Sequence, residues 1–265
     1  MTDPATVYDS WFVPALFAPM AQQLLAETAI PSGARVLDVA CGSGIVARLV
    51  ATRLGPSGRV TGIDVNPGMI AAARRASDEA AVAIDWQVGS ALDLPFADQS
   101  FDLVVCQQGL QFFPDRAKGV AEMYRVLAPG GEVCIATWRG LDQNPFFAEM
   151  ERVVRQRTGA TALQMPFSLG DPLELATLMQ DAGFRDVSVA PFTVTADHDQ
   201  PERYIELQVG AMSAGVVAMQ SLTDSERSRL ITAVGDDLAD HIASAREGDR
   251  LRFPMQGIVA RGVRR

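Results

Sequence analysis

Between residues 35 and 138 the chain alternates short apolar, β-branched runs with longer segments of helical periodicity. That alternation is the mark of a parallel sheet covered by helices on both faces. Strands are predicted over 36–40, 60–64, 84–88, 101–107 and 132–138, and helices over 43–54, from Pro67 onward, and over 118–127. Asn66-Pro67 sets a good N-cap before a proline at the first helical position, where a missing N–H is harmless. Pro129-Gly130-Gly131 stops the third helix and opens the fifth strand.

Past Trp138 the texture changes. A helix is predicted over 146–157, then a loop containing Gly, Pro and Ser, then a helix over 172–182 closed by Gly183 in the position of a C′ glycine. The sixth strand is predicted over 187–195. A last strand over 251–263 carries Pro254 and Gly257, which predicts a bulge or an edge position. Two helical segments, 201–220 and 224–245, separate these strands and form an insertion. The stretch from Tyr8 to Phe17 is unusually aromatic and leads into a helix reaching about Thr28; it either packs on the sheet or closes over a bound ligand. The expected organisation is one domain over 1–265, with a helical flap at 1–30, a cofactor-binding core at 31–140, and helical caps over the substrate at 141–170 and 197–248.

Composition narrows the classes of partner. With 265 residues, 48% of them hydrophobic, the chain can bury a sizeable core. A net charge of -9 without a Lys/Arg cluster disfavours nucleic acid and anionic membrane surfaces, leaving small molecules as the expected partners. No apolar stretch approaches the roughly 18 to 20 residues that span a bilayer, so a cytoplasmic protein without membrane insertion is expected, as a monomer or homodimer. Cys41, Cys106 and Cys134 lie in or beside apolar strand-like runs without a C-x-x-C or Cys/His cluster. They are expected to be buried free thiols, with no metal site.

Candidate chemistry gathers around the first strand. Gly42-Ser43-Gly44-Ile45-Val46-Ala47 fits the G-x-G-x-x-G/A turn, and Asp64 ends the second strand about twenty residues on. Glycine there lets the backbone pass close beneath a ligand. A carboxylate at that strand tip can accept from both ribose hydroxyls, which suits a dinucleotide and S-adenosylmethionine (SAM) equally. Asp38 inside the first strand separates the two, because a buried carboxylate there needs a partner. So do Gly89-Ser90-Ala91-Leu92-Asp93-Leu94-Pro95-Phe96, Phe101-Asp102-Leu103-Val104-Val105 and Arg125-Val126-Leu127-Ala128-Pro129-Gly130-Gly131-Glu132-Val133, all in order along the chain.

Together these motifs, spanning residues 35–137, resemble the class I SAM-dependent methyltransferases, in particular the small-molecule group that includes the ubiquinone/menaquinone biosynthesis enzymes. The resemblance implies a three-layer Rossmann-like α/β fold with seven strands in the order 3-2-1-4-5-7-6, the last antiparallel. It places Ala40, Gly42 and Gly44, with Asp38, at the methionyl moiety and Asp64 on the ribose. Val65 and Met69 would flank the adenine, Ser90, Ala91 and Leu92 would meet its edge, and Gln107 would face the sulfonium. The sequence departs from the family pattern in three places. Ala40 stands where glycine is common, Ser90 stands where Asp is common, and about fifty residues replace a tight final hairpin.

Methyl transfer from a sulfonium is an in-line displacement that depends chiefly on positioning and exclusion of water. The expected acceptor pocket draws on Tyr8, Trp11, Phe12, Phe17, Gln108, Gln111, Phe112, Phe113, Trp138, Phe146 and Phe147, which favours a hydrophobic or aromatic metabolite methylated on O, N or C. The candidate general base is His198; its neighbours Asp197 and Asp199 suggest a solvated loop residue held protonated. His241 reads as structural or exposed. Asn144-Pro145-Phe146-Phe147 is only a partial match to the Asn/Asp-Pro-Pro-aromatic motif of amino methylation, and no Pro-Cys nucleophile occurs. Two alternatives remain: a SAM-binding sensor or scaffold without turnover, and an NAD(P)-dependent oxidoreductase, which leaves the later motifs unexplained and would lack a Tyr-x-x-x-Lys pair.

Overall fold

The computed structural model describes residues 8–26, 28–55, 57–77, 83–215 and 217–265. Eight strands form one sheet in the order β3-β2-β1-β4-β5-β8-β6, with β7 pairing β8 at its end. They are β1 (Arg35–Val39), β2 (Arg59–Asp64), β3 (Ile84–Val88), β4 (Phe101–Gln107), β5 (Leu127–Trp138), β6 (Arg185–His198), β7 (Arg246–Glu247) and β8 (Arg250–Val263). The first five run parallel and β8 runs antiparallel to both neighbours. The expected order of seven strands is therefore observed, with the two-residue β7 added.

Alternation along β1 sets the two faces of the sheet. Val36 packs into one apolar cluster with Met20, Leu24, Val50 and Leu54, whereas Leu37 and Val39 pack into the other with Val104, Met123 and Leu175. Among the helices, α1 (Ala18–Ala26) and α2 (Ile45–Leu54) serve the first face, and α4 (Arg116–Val126) and α6 (Pro172–Asp181) the second; α3 (Pro67–Ser77) follows β2. Helix starts are fixed by side-chain caps, Asp115 accepting from the Lys118 N–H at 2.9 Å and Asp171 from the Leu173 N–H at 2.8 Å. Gly183, at φ +105°, closes α6 as its position suggested. Cys41, Cys106 and Cys134 are buried free thiols.

The last two long strands depart from expectation. β8 is an edge strand only in part: Gly257 to Val263 pair with β5, whereas Arg252 to Gln256 pair with β6 alone and Leu251 pairs with both β6 and Arg246 of β7. Pro254 lies in that outer half, where the missing N–H removes no bond to β5. Gly257 makes no bulge; a Cβ there would sit 2.4 Å from the Phe192 ring. The outer halves form a two-stranded ribbon projecting beyond β5. It carries the insertion, comprising α7 (Tyr204–Gly215), α8 (Val217–Gln220), α9 (Asp224–Asp237) and α10 (Ala239–Ser244). At the other end of the chain, Tyr8–Phe17 is a π-helical segment continuous with α1.

Candidate cofactor and acceptor site

Ala40, Gly42 and Gly44 have φ values of +56°, +54° and +86°, so the backbone turns through three left-handed residues between β1 and α2. Only glycine adopts such angles freely; Ala40 keeps its methyl group because Gly109 faces it. A Cβ on Gly109 would lie 2.5 Å from that of Ala40. The departure at Ala40 is thus matched by a glycine after β4.

Three side chains brace the turn from below. Asp38, 1% exposed, accepts the Ala47 N–H of α2 at 3.0 Å. Burial pushes its carboxyl up to about 8, against the lowering effect of that hydrogen bond. Asp64 accepts the Gly42 N–H at 2.9 Å with one oxygen and the Asn66 N–H at 2.8 Å with the other. Trp86 of β3 fills the space beneath, where a Cβ on Gly44 or Gly62 would come within 2.3 Å of its ring. Above Gly42 nothing lies within 4 Å of a Cβ position. The turn is a braced platform, packed against Trp86 on one side and open at Gly42.

The remaining expected cofactor positions collect around it at the carboxyl ends of β1 to β4, the usual ligand-binding edge of an open α/β sheet. Val65 is 73% exposed and Met69 half-buried on α3. Ser90 accepts the Leu92 N–H at 3.1 Å, closing a turn through Ala91, and the Gly89 N–H reaches the Asp64 carbonyl at 3.0 Å. Gln107 ends β4 and donates to the Phe17 carbonyl at 3.0 Å. Next to it, Gln108 donates to the Met20 sulfur at 3.0 Å and accepts from Gln111. The Oε1 atoms of Gln107 and Gln111 are buried without a hydrogen-bond partner.

The N-terminal segment crosses this edge. Tyr8 stacks on Phe17 at 5.0 Å, and burial together with the Asp64 and Asp9 charges pushes its phenol above the usual range. Asp9 lies 3.7 Å from Arg48 of α2. The segment's other side meets the β6–β8 ribbon across a cavity of about 500 Å³ lined by Trp11, Pro14, His198, Arg250 and Arg252 among others.

His198 differs from the sequence reading. It is the last residue of β6, 1% exposed, and its ring packs at a tilt against Trp11 at 4.3 Å with Tyr204 and Phe253 nearby. Desolvation outweighs the flanking carboxylates and pulls its ring down to about 4, so it is neutral where a solvated, protonated residue was expected. Asp197 instead pairs with Arg250 and Arg252.

The expected aromatic lining divides. Trp11, Phe12, Trp138, Phe146 and Phe147 share the first apolar cluster, where Phe146 stacks on Phe253 at 3.8 Å and meets the tilted His241 ring at 4.6 Å. Phe112 is 51% exposed and Phe113 packs on the opposite cluster; the structure does not bring these two to the others. Asn144 is fully buried, donates to the Arg139 and Gln256 carbonyls and accepts the Gln256 N–H. Its Asn-Pro-Phe-Phe stretch therefore staples α5 (Pro145–Thr158) to β8. Trp86, Arg48, Tyr204 and Phe253 were missed by motif; only the glycines facing Trp86 hinted at a bulky neighbour. Among the described residues no group of three or more His, Cys, Asp or Glu side chains is placed to hold a metal ion, and no helix is long and apolar enough to cross a membrane.

Fold and site together define an α/β protein with a braced glycine turn at the carboxyl end of its parallel strands. Comparison with known proteins narrows this. Residues 37–135 match the methyltransferase domain family. A 2-phytyl-1,4-naphtoquinone methyltransferase from Thermosynechococcus vestitus is 33% identical over 61% of this chain and 77% of its own. A demethylmenaquinone methyltransferase from Listeria welshimeri is 41% identical over 41% of this chain; the match spans about half, 47%, of that enzyme's length. Among solved structures, the YcgJ protein of Bacillus subtilis superposes with a TM-score of 0.60 at 18% identity, over 92% of this chain and 97% of its own. A Haemonchus contortus phosphoethanolamine N-methyltransferase, solved with SAM, does so with a TM-score of 0.59 at 20% identity, over 98% of this chain and 56% of its own. The chain belongs to the class I SAM-dependent methyltransferases.

Proposed function

We propose that the chain transfers the methyl group of SAM to a small hydrophobic or aromatic acceptor of the quinone-related kind. The observation that carries this reading is the braced glycine turn, open above Gly42 and held by the same Asp64 that ends β2. In this reading Asp38, Ala40, Gly42 and Gly44 lie along the methionyl moiety, Val65 and Met69 flank the adenine, and Ser90, Ala91 and Leu92 meet its edge. Asp64 binds the ribose: each of its oxygens accepts one backbone N–H and keeps a lone pair for a hydroxyl.

When bound, SAM supplies an electrophilic methyl group on its sulfonium. The protein's task is then to hold the acceptor atom roughly 3 to 3.5 Å from that carbon, in line, away from water. Gln107 and Gln111 are fitted to that task, because each has a buried amide oxygen without a donor. Leaving such a group unpaired costs roughly 1 to 3 kcal/mol, and a hydroxyl on the acceptor would satisfy it. Tyr8 and Gln108 complete the nearest contacts, with Trp11, Phe12 and Phe146 behind them. The relatives' names carry 2-phytyl-1,4-naphtoquinone and demethylmenaquinone; the reduced, quinol form of such a ring has the hydroxyl that would donate to these oxygens.

The test is incubation with methyl-labelled SAM and either a demethylated naphthoquinol or a metabolite extract, followed by mass spectrometry. A labelled aromatic product is expected, and its fragmentation assigns O, N or C. Intact SAM binding without any labelled product would favour the sensor or scaffold reading.

A further inference from the structure

Arg48 is the charge that the proposed cofactor contacts leave without a role. It sits in the first turns of α2, its side chain one-fifth exposed. Its guanidinium donates to the Ser43 carbonyl inside the glycine turn. A guanidinium has five N–H donors in a fixed fork, and burial lowers the stability of this one's charge. The nearest carboxylate, Asp9, stands at 3.7 Å, beyond hydrogen-bond reach, and its facing oxygen is buried without a hydrogen bond. Asp38 acts on the same cation through its charge. One cation and two carboxylates, from three separate elements, thus converge on the turn proposed to lie along the methionyl moiety.

That moiety ends in an amino acid, with an α-carboxylate beside an α-ammonium. We propose that Arg48 binds the α-carboxylate of the cofactor, and that Asp9 on the N-terminal segment holds the same guanidinium when the cofactor is absent. A carboxylate meeting the fork at roughly 2.7 to 2.9 Å makes charge-assisted, bidentate bonds, which the 3.7 Å contact to Asp9 does not. The exchange releases an ion pair that ties the segment to α2, so cofactor binding and the position of the flap are coupled. The inference rests on the SAM reading of the glycine turn.

The test compares S-adenosylhomocysteine with 5′-methylthioadenosine, which keeps the adenosine and the sulfur but lacks the amino-acid end. Both are titrated calorimetrically into the full chain and into Arg48→Met, Arg48→Lys and Asp9→Asn. Arg48→Met should weaken S-adenosylhomocysteine at least tenfold while methylthioadenosine stays within twofold, the latter also reporting an intact fold. Arg48→Lys should fall between, keeping charge without the fork. Asp9→Asn should tighten S-adenosylhomocysteine about threefold or more without changing methylthioadenosine. Equal weakening of both ligands by Arg48→Met, or no weakening, overturns the inference alone, as does weaker S-adenosylhomocysteine binding in Asp9→Asn. Failure of the unaltered chain to bind either ligand overturns the cofactor reading itself.

Discussion

The Asp64 carboxylate accepts the Gly42 amide at 2.9 Å, joining the tip of β2 to the glycine turn after β1. One side chain therefore holds the turn with one oxygen and the Asn66 amide with the other. Asp64→Ala should weaken S-adenosylhomocysteine binding by roughly 1.5 to 3 kcal/mol, the value of hydrogen bonds to a charged acceptor. Calorimetric titration of a variant with unchanged circular dichroism checks this; unaltered affinity would remove Asp64 from the ribose.

Asp38 predicts a pH dependence of stability. Its carboxyl ionises near 3.8 in the unfolded chain and near 8 in the fold. Between those values the native state binds the extra proton, so the contribution is complete below about pH 3.8 and is lost as pH rises through 8. Thermal midpoints of the ligand-free protein should fall from pH 5 to pH 8, and Asp38→Asn, which keeps an acceptor for the Ala47 N–H, should flatten that slope. Equal slopes in both proteins would contradict the assignment.

His198 acts in the opposite direction. Its ring binds a proton near 6.5 when unfolded and near 4 when folded. The unfolded state gains the proton first as pH falls, so stability is lost between about 6.5 and 4. His198→Phe keeps an aromatic ring against Trp11 and should narrow the difference in urea midpoint between pH 7 and pH 5. An unchanged difference would mean that another group titrates in that range.

Gly62 tests the platform from below. An alanine there meets the Trp86 ring at 2.3 Å, and overpacking of this kind costs roughly 1 to 3 kcal/mol. Gly62→Ala should lower stability by that amount, and Trp86→Leu should cost less in the Gly62→Ala background than alone. Additive effects in denaturant unfolding would show that the two residues do not press on each other.

Much of this was legible in the chain. The strands β1 to β4 and residues 132–138 of β5 follow from their apolar runs, and the turn follows from Gly42 and Gly44; β5 itself begins at Leu127, so Pro129-Gly130-Gly131, read as a turn between helix and strand, lies within the strand, where Leu127 pairs with Phe101. What escaped depends on residues far apart in sequence. The burial of His198 is set by Trp11, Tyr204 and Phe253, against which the adjacent carboxylates were a poor guide. Asn144 looked like a fragment of a catalytic motif and proved to be a staple, since its partner Gln256 lies 112 residues away. Phe112 and Phe113 are neighbours in the chain, yet one faces solvent and the other the opposite face of the sheet. Pattern identifies elements, whereas pairing across the sheet decides which side chains meet.

The central claim is that the turn over Gly42 holds SAM. Calorimetry of the unaltered chain with SAM, S-adenosylhomocysteine and NAD tests it most directly. Saturable binding of the first two with no heat from NAD is the predicted result; binding of NAD without SAM would contradict it.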